Sequence, residues 1–428
     1  MANVTPDARA YAQAHIANVL GLHGRDAVAD EQLLALVFRE LSRTVEVETS
    51  LRDQWGNWEF PFGESNLRGQ LYVPWLDQRL VALRDALRAQ HPDLRPEPPW
   101  PEGHPFAVCL THDVDFVTLN PSSSAAAREV MRNARLLLEG PRDRSAAPMI
   151  TRGIVRGVYL LATLRSLRPK RERTYDEWLK LEDRFGFKST FFYFPEKVSV
   201  PHVYDCLYSF DDPVGYDGRR MRVRDMMVEM DRAGWEIGLH GSYHSALRAG
   251  LLAHQRQQVE DAIGHRVLST RQHWLHYDAR VTPALQAQAD LRADSTQGFN
   301  RNVGFRAGTA FPYACWDFDL SQALPVMEIP QHVMDGALFT PNALEYDADR
   351  AIRHCVKLMD EVEAVGGCLT LSWHPNSIQV PPYWAVYESV LAEAARRRAW
   401  GCSVGELHRW WTDRAARIAA RQQPTPRV

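Results

Sequence analysis

The sequence lacks several features that would assign it to a specialised class of protein. Its six cysteines contain no Cys-x-x-Cys pair and no clustered spacing, which argues against a zinc knot or a disulfide framework. We interpret them as small core residues in a reducing compartment. No window approaches about eighteen uninterrupted apolar residues, so no transmembrane helix is predicted. Residues 1–30 show no charged segment followed by an apolar one, so no secretory signal is predicted and a cytoplasmic location is expected.

The sequence also lacks a large excess of charge of either sign. The formal net charge of the 428 residues is −3, which gives no general affinity for nucleic acid, and no nucleic-acid partner is predicted. The composition is 45% hydrophobic and 24% charged, which is ordinary for a soluble globular protein. The length is enough for one large α/β domain and an accessory piece.

Prolines mark a boundary near residue 100. Five of the ten residues 92–101 are proline, and we interpret this cluster as a linker. It predicts an N-terminal accessory α+β domain over 1–100, a larger domain over 101–412, and a flexible tail over 413–428.

After residue 105, short apolar runs alternate with helical periodicity. The predicted strands are 106–111, 189–194, 235–239, 268–272, 290–295, 326–329 and 368–372. Strands separated by helices favour parallel βαβ units, and about seven of them favour a barrel over an open sheet. The predicted fold class is therefore α/β, with chemistry at the carboxyl ends of the strands.

A basic insertion at 121–174 interrupts this alternation. Residues 128–173 hold twelve Arg or Lys against four acids. One interpretation is a solvated surface. The other is a basic element that makes peripheral contact with an anionic membrane or binds an anionic substrate.

Polar residues that could carry chemistry follow four of the predicted strands. Asp113 and Asp115 lie two positions apart after an apolar run, so their side chains project the same way and need a positive partner. The spacing of His240 and His244 suits two imidazoles on one cation if they share a helical turn, with Asp115 as a third ligand. Arg271 could hold Asp113 ionised. His374 is placed to act as a general acid. Each residue alone has an ordinary structural explanation.

In this order, the motifs Thr111-His112-Asp113-Val114-Asp115, His240-x-x-x-His244, Arg271 and Leu371-Ser372-Trp373-His374 resemble those of polysaccharide deacetylases of the NodB-homology type, carbohydrate esterase family 4. The resemblance covers residues 105–410 and implies a distorted (β/α)7 barrel.

The resemblance also implies roles. Asp113 would be the general base, oriented by Arg271. Asp115, His240 and His244 would bind a divalent metal, usually zinc, and His374 would protonate the leaving amine. Leu371 would wall the pocket for the acetyl methyl group.

Two positions depart from the family pattern. Val114 separates two aspartates that are commonly adjacent, which leaves open which carboxylate binds the metal. Arg271 continues into Gln272-His273-Trp274 instead of a Pro-aromatic-Gly turn, which affects the substrate more than the reaction.

A later glycine-rich segment also has functional character. Asp294 follows a predicted strand, and Arg306 lies between Gly304 and Gly308. Such a loop suits a sugar that bears a carboxylate or phosphate, although an ordinary glycine-rich loop fits equally well. We predict Arg306, Asp294 and Trp274 as substrate-binding residues beside Leu371, and we interpret His332 as structural.

The sequence thus predicts metal-dependent hydrolysis of an N-acyl group, such as N-acetyl, on a sugar or on a sugar-containing glycan precursor. Hydrolysis of another small or cyclic amide on the same barrel is the alternative enzyme. A carbohydrate-binding protein on an inactive barrel is the alternative without catalysis, but it would need neither a base nor an acid.

Overall fold

A computed structural model describes residues 5–23, 27, 29–61, 69–118, 123–138, 150–151, 154–155, 158 and 174–420. Its helices are α1 Pro6–Leu20, α2 Glu31–Leu41, α3 Thr44–Val47, α4 Trp75–Gln90, α5 Ser123–Leu138, α6 Tyr175–Arg184, α7 Val223–Arg232, α8 Leu251–Ile263, α9 Thr282–Gln288, α10 Asp335–Phe339, α11 Ala348–Val365, α12 Pro381–Arg396 and α13 Val404–Ala420. Its strands are β1 Ala107–Val114, β2 Thr190–Tyr193, β3 Pro213–Tyr216, β4 Arg219–Arg222, β5 Glu236–Gly241, β6 Ser269–Gln272, β7 Ala293–Asp294, β8 Tyr313–Asp317, β9 Gln322–Glu328, β10 Val333–Met334, β11 Cys368–Ser372 and β12 Trp400–Cys402.

One curled sheet organises the chain. Its strand order is β10-β11-β1-β2-β5-β6-β7-β9-β8, and β12 pairs with β1. Its strand pairs are parallel except β8 with β9. Between β9 and β10, the amide of Ile329 donates to Asp294 O at 2.8 Å and that of His332 donates to Thr370 O at 3.1 Å. The chain thus links the two ends of the parallel sheet, and the predicted α/β class with a curled parallel sheet is confirmed.

Strand β1 lies in the interior of this sheet, where it pairs with β11, β12 and β2. All eight of its residues are buried, as expected for a parallel strand covered on both faces. Its side chains alternate between the inside of the curl and the outer helices. The strand is longer than the sequence predicts, because Thr111–Val114 pair with Thr190–Tyr193 of β2.

The N-terminal segment packs on the sheet. The ring of Trp316 in β8 has edge contacts with Tyr11 of α1 and Phe38 of α2, at centroid distances of 5.2 and 5.0 Å. Tyr11 Oη donates to Ala314 O at 2.6 Å. One hydrophobic cluster includes buried residues from Tyr11 to Trp411. The predicted boundary near residue 100 therefore lies within continuous packing, and the domain limits stay a prediction.

Much of the basic insertion lies outside the described residues, including 139–149 and 159–173. In its described helix α5, Arg128 pairs with Asp212 and Arg132 donates to Asp205 O. Membrane contact through 128–173 stays a prediction. No described helix combines the length and apolarity needed to cross a membrane. Helix α13 continues past the predicted tail start at 413 to Ala420, and 421–428 lie outside the described residues.

Candidate active site

The predicted catalytic residues meet in a cleft of about 370 Å³ at the carboxyl ends of the central strands. Asp113 and Asp115 come from the end of β1, His240 from β5, and His374 from the turn after β11. This edge is where parallel α/β sheets usually carry ligands.

Asp113 is held by Arg271. The guanidinium NH1 of Arg271 donates to Asp113 Oδ1 at 2.9 Å, and both side chains are buried. The same nitrogen donates to the hydroxyls of Thr111 and Ser372. Burial alone would raise the pKa of Asp113, but Arg271, with smaller contributions from His240 and His374, holds the pKa below its usual value. Asp113 is therefore an ionised carboxylate at the cleft, as a general base requires.

Asp115 follows the end of the strand. Its amide donates to Asp113 O at 3.1 Å, so the chain turns directly after Val114. Val114 is buried on the opposite face. Both carboxylates thus line the cleft.

Two imidazoles face Asp115. His240 Nε2 and His273 Nδ1 lie 2.9 Å apart, and they lie 3.5 and 3.4 Å from Asp115 Oδ1. The other nitrogens face carbonyl oxygens: His240 Nδ1 faces Arg271 O at 2.9 Å and His273 Nε2 faces Tyr204 O at 2.6 Å. Carbonyls only accept hydrogen bonds, so both rings carry their proton on that side.

The consequence of these tautomers is that two unprotonated ring nitrogens and a carboxylate oxygen converge on one point. Lone pairs at 2.9 Å repel each other unless a positive species lies between them. Burial also lowers the pKa of His273 to about 4, so its ring is neutral near pH 7. Two imidazoles and one carboxylate, each imidazole oriented by a backbone carbonyl, are a donor set suited to a divalent metal such as zinc.

Cys206 adjoins this set. Its thiol lies 3.5 Å from Asp115 Oδ1, and the potential ligand atoms of Asp115, Cys206 and His273 all lie within 4.8 Å of one another. All six cysteines are free thiols. Burial and the nearby Asp115 raise the pKa of Cys206 well above its usual value, so without a metal its thiol stays protonated.

The predicted ligand His244 is not among the residues that line the cleft. Its ring has an edge contact with His202, with the centroids 5.0 Å apart. His240 belongs to β5, whereas Tyr243–Ala246 form a 3-10 turn, so the two histidines do not share one face of an α-helical turn. His273 directly follows β6, which pairs with β5 in a register that sets His240 beside Arg271. The geometry favours His273 as the ligand in place of His244.

His374 lies on the other side of Asp115. Its Nε2 is 3.6 Å from Asp115 Oδ2, and its Nδ1 is 2.6 Å from Asp335 Oδ1. The His374 amide also donates to Asp335 Oδ2. Burial would lower the pKa of His374, but the Asp335 carboxylate outweighs it and raises the pKa to about 10. His374 is thus a protonated imidazole at the cleft, as a general acid requires.

The four predicted substrate-binding residues do not all line the cleft. Trp274 lines the cleft. Arg306 is buried, with Nε and NH2 donating to the carboxylate of Glu46 at 2.8 Å and NH1 donating to Gly298 O. Asp294 is fully buried beside Thr296, and burial raises its pKa. Leu371 is fully buried within β11 and does not line the cleft, whose lining includes the apolar side chains of Leu275 and Met334.

Several cleft residues were not predicted. The sequence did contain a signal for His273, because this residue, like His240 and His374, lies just after a predicted strand. Asp335 follows the short strand β10, which has too few residues for a pattern. Trp55 and Arg301 reach the cleft from distant segments, and nothing in the sequence near them indicates it.

Comparison with known proteins gives likeness of fold alone. No protein-family model matches the sequence, and no curated protein matches it. A Mycobacterium smegmatis structure named as a polysaccharide deacetylase is 20% identical with a TM-score of 0.44, over 78% of this chain and 98% of that one. The Puue allantoinase is 15% identical with a TM-score of 0.44, over 75% and 95%. A Xyl-CE4 domain of a multidomain xylanase from the hindgut metagenome of Trinervitermes trinervoides is 11% identical with a TM-score of 0.31, over 56% and 86%.

Proposed function

We propose that this protein is a metal-dependent hydrolase that removes an N-acyl group, such as N-acetyl, from a sugar or a sugar-containing glycan precursor. The observation that carries the proposal is the arrangement around Asp115. An ionised carboxylate, Asp113, and a protonated imidazole, His374, flank the point on which His240, His273 and Asp115 converge. Hydrolysis of an amide needs a base for water, an acid for the leaving amine and stabilisation of the oxyanion.

Each side chain has a separate role in this proposal. Asp113, fixed by Arg271, accepts a proton from the attacking water. His374 donates a proton from Nε2 to the departing amine, and Asp335 holds the opposite nitrogen of the ring. Asp115, His240 and His273 would hold a divalent ion, most simply Zn²⁺, which when bound polarises the acyl carbonyl and lowers the pKa of water.

Acetate release from N-acetylated sugars tests the proposal. The purified chain should release acetate, lose this activity on chelation and regain it with Zn²⁺. Asp113→Asn should lower kcat by about 10²–10⁴-fold, because general-base catalysis is lost while the side-chain volume is kept.

Asp85→Asn is the matched control, because Asp85 is exposed on α4 and pairs only with Arg84 among the described residues. It should keep wild-type kcat. Unchanged acetate release in Asp113→Asn, or full activity in chelator, would exclude this mechanism.

A further inference from the structure

One wall of the cleft comes from the N-terminal segment. Trp55 and Gln54 line the cleft together with Trp274. The rings of Trp55 and Trp274 are stacked, with centroids 5.5 Å apart and planes inclined by 22°. Trp55 is buried and stacks behind Trp274, so two residues 219 positions apart in the sequence build one aromatic surface whose partly exposed ring is Trp274.

The Trp55 side of this surface is fixed by its own turn. Asp53 Oδ1 accepts hydrogen bonds from the amides of Trp55 and Asn57, both at 2.9 Å. Tyr243 Oη donates to Trp55 O at 2.7 Å. The ring is therefore positioned before any ligand arrives, which reduces the entropic cost of binding.

The backbone at Trp274 is strained and is held by two side-chain hydrogen bonds. Trp274 and Leu275 both have positive φ, 60° and 50°, which is rare for residues with large side chains. The Trp274 carbonyl accepts from Asn57 Nδ2 at 3.0 Å and from Asn300 Nδ2 at 2.8 Å. Backbone strain of this kind persists where the surroundings hold it, often at ligand sites.

Arg301 supplies positive charge at this surface. Its guanidinium lies 4.7 Å from the centroid of a Trp55 ring, and the residue is exposed and lines the cleft. Within the described part of the chain, no carboxylate lies in ion-pair distance of Arg301. Arg306, five positions later, is instead neutralised by Glu46.

We propose that Trp274, backed by Trp55, and Arg301 form a subsite for the pyranose ring of an N-acylated sugar that carries an anionic substituent, a phosphate ester or a carboxylate. The inference rests on the proposed function and names its substrate class. An aromatic face packs against the apolar face of a sugar ring, and a guanidinium binds phosphate or carboxylate through paired hydrogen bonds. The amides of Asn300 and Asn342, which line the same cleft, can bind hydroxyl groups.

Calorimetric titration of the full chain with three sugars tests the subsite separately from catalysis. The probes are methyl N-acetylglucosaminide, which is neutral, N-acetylglucosamine 1-phosphate, and N-acetylmuramic acid, which carries a carboxylate. We expect at least one anionic sugar to bind about tenfold or more tightly than the neutral one, and the preferred anion identifies the source.

Variants separate the ring contact from the charge contact. Arg301→Gln should weaken binding of the preferred anionic sugar about 10–100-fold, to the level of the neutral sugar, and Arg301→Lys should restore part of it. Trp55→Leu should weaken all three sugars alike. Arg219→Gln, at an exposed arginine of β4, is the control and should change nothing.

The outcomes distinguish this inference from the proposed function. Equal affinity for neutral and anionic sugars, no effect of Arg301→Gln, or no binding of any probe would overturn the subsite, even if acetate release is observed. Binding of an anionic sugar that depends on Arg301, without acetate release from any sugar, would keep the subsite and overturn the hydrolase.

Discussion

Asp113 and Asp115 share one strand end but have different partners. Arg271 contacts Asp113 at 2.9 Å, whereas the two imidazoles and His374 surround Asp115. Val114 separates them by one full alternation, so both carboxylates face the cleft while Val114 fills the core. The intervening residue therefore keeps two like charges apart, and each can be compensated by its own positive or metal-binding neighbour.

The identity of the metal ligands gives the first prediction. His273→Ala should weaken Zn²⁺ binding by at least about tenfold, because it removes one of the three converging donors. His244→Ala should bind Zn²⁺ within about twofold of wild type, because its ring packs against His202. Zinc content after dialysis and competition with a chromogenic chelator measure both affinities without reference to activity.

The opposite result is equally informative. If His244→Ala loses the metal and His273→Ala keeps it, the ligand set is the one that the family resemblance implies. Melting temperatures of both variants serve as the control, since a misfolded variant would lose metal for another reason.

His332 gives a prediction for acid stability. Its Nδ1 accepts from the Thr370 amide at 3.0 Å, and its Nε2 faces Thr309 O at 3.3 Å, so the ring is neutral. Burial lowers its pKa from 6.5 to about 4. Between pH 6.5 and 4, the unfolded chain therefore binds more protons than the folded chain. The contribution of the neutral ring to the free energy of unfolding is fully present above pH 6.5 and is lost as the pH falls towards 4. This loss amounts to roughly 3 kcal/mol in total.

Urea unfolding at a series of pH values measures this effect. His332→Gln can keep both hydrogen bonds without titrating, so its free energy of unfolding should fall less steeply between pH 6.5 and 4. The exposed His91→Gln should follow the wild-type curve. Identical slopes for His332→Gln and wild type would show that His332 does not titrate differently in the two states.

At the scale of elements, a buried charge cluster joins α3 to the loop before β8. Glu46 accepts from Arg43 Nε and NH2 at 3.0 and 2.7 Å and from Arg306 Nε and NH2 at 2.8 Å. All three side chains are at most 3% exposed. Burial opposes the charge of Glu46, but the two guanidiniums outweigh it and lower its pKa to about 2.

Removing the carboxylate should therefore be costly. Glu46→Gln leaves the buried Arg306 without a counter-charge and Arg43 with only Glu40, 3.8 Å away, and should lower the free energy of unfolding by about 3–5 kcal/mol. Glu48→Gln is the matched control, because Glu48 and Arg39 are both more than half exposed and 3.8 Å apart; it should change stability by less than about 1 kcal/mol. Equal stability of the two variants would contradict the cluster's role.

Elements with strong local signals could be predicted from the sequence. Helix α11 runs from Ala348 to Val365, because Asp347 caps its start and Gly366, with φ of 73°, ends it, and both signals are local. Strand β7 falls within the strand predicted at 290–295, whereas the short strands β10 and β12 have two and three residues, too few for a periodic pattern. They are fixed by pairing with longer neighbours, which no local window contains.

The site could be predicted in part for the same reason. Asp113 and Arg271 were expected to meet because both follow central strands, and they do lie in contact. The turn at Asp53, which places Trp55 against Trp274, depends on a partner more than 200 positions away. Arg306 was expected to bind substrate, but its neutralisation by Glu46 depends on the N-terminal segment packing onto the loop. Contacts of this range depend on the folded chain and leave no sequence pattern.

For the whole molecule, the N-terminal segment packs against the sheet and the loop before β8. Asp77 of α4 accepts from the Ala310 amide at 2.6 Å and from Thr309 Oγ1 at 2.7 Å. Helices α1 and α2 cover Trp316 of β8. The same segment also contributes Trp55 to the cleft, so folding of the N-terminal segment and assembly of the site are coupled.

A chain that begins at Glu97 tests this coupling. It would expose the apolar side of β8 and leave the carbonyl of Ala314 and the guanidinium of Arg306 without their partners. Each large apolar side chain that loses its cover costs about 1.5–3 kcal/mol, against a typical total stability of about 5–15 kcal/mol. We therefore expect the shortened chain to lose its cooperative thermal transition by circular dichroism, and supplying residues 1–96 as a separate chain to restore part of it. A cooperative transition at the wild-type temperature without that segment would instead establish 101–412 as an independent domain, as the proline cluster predicts.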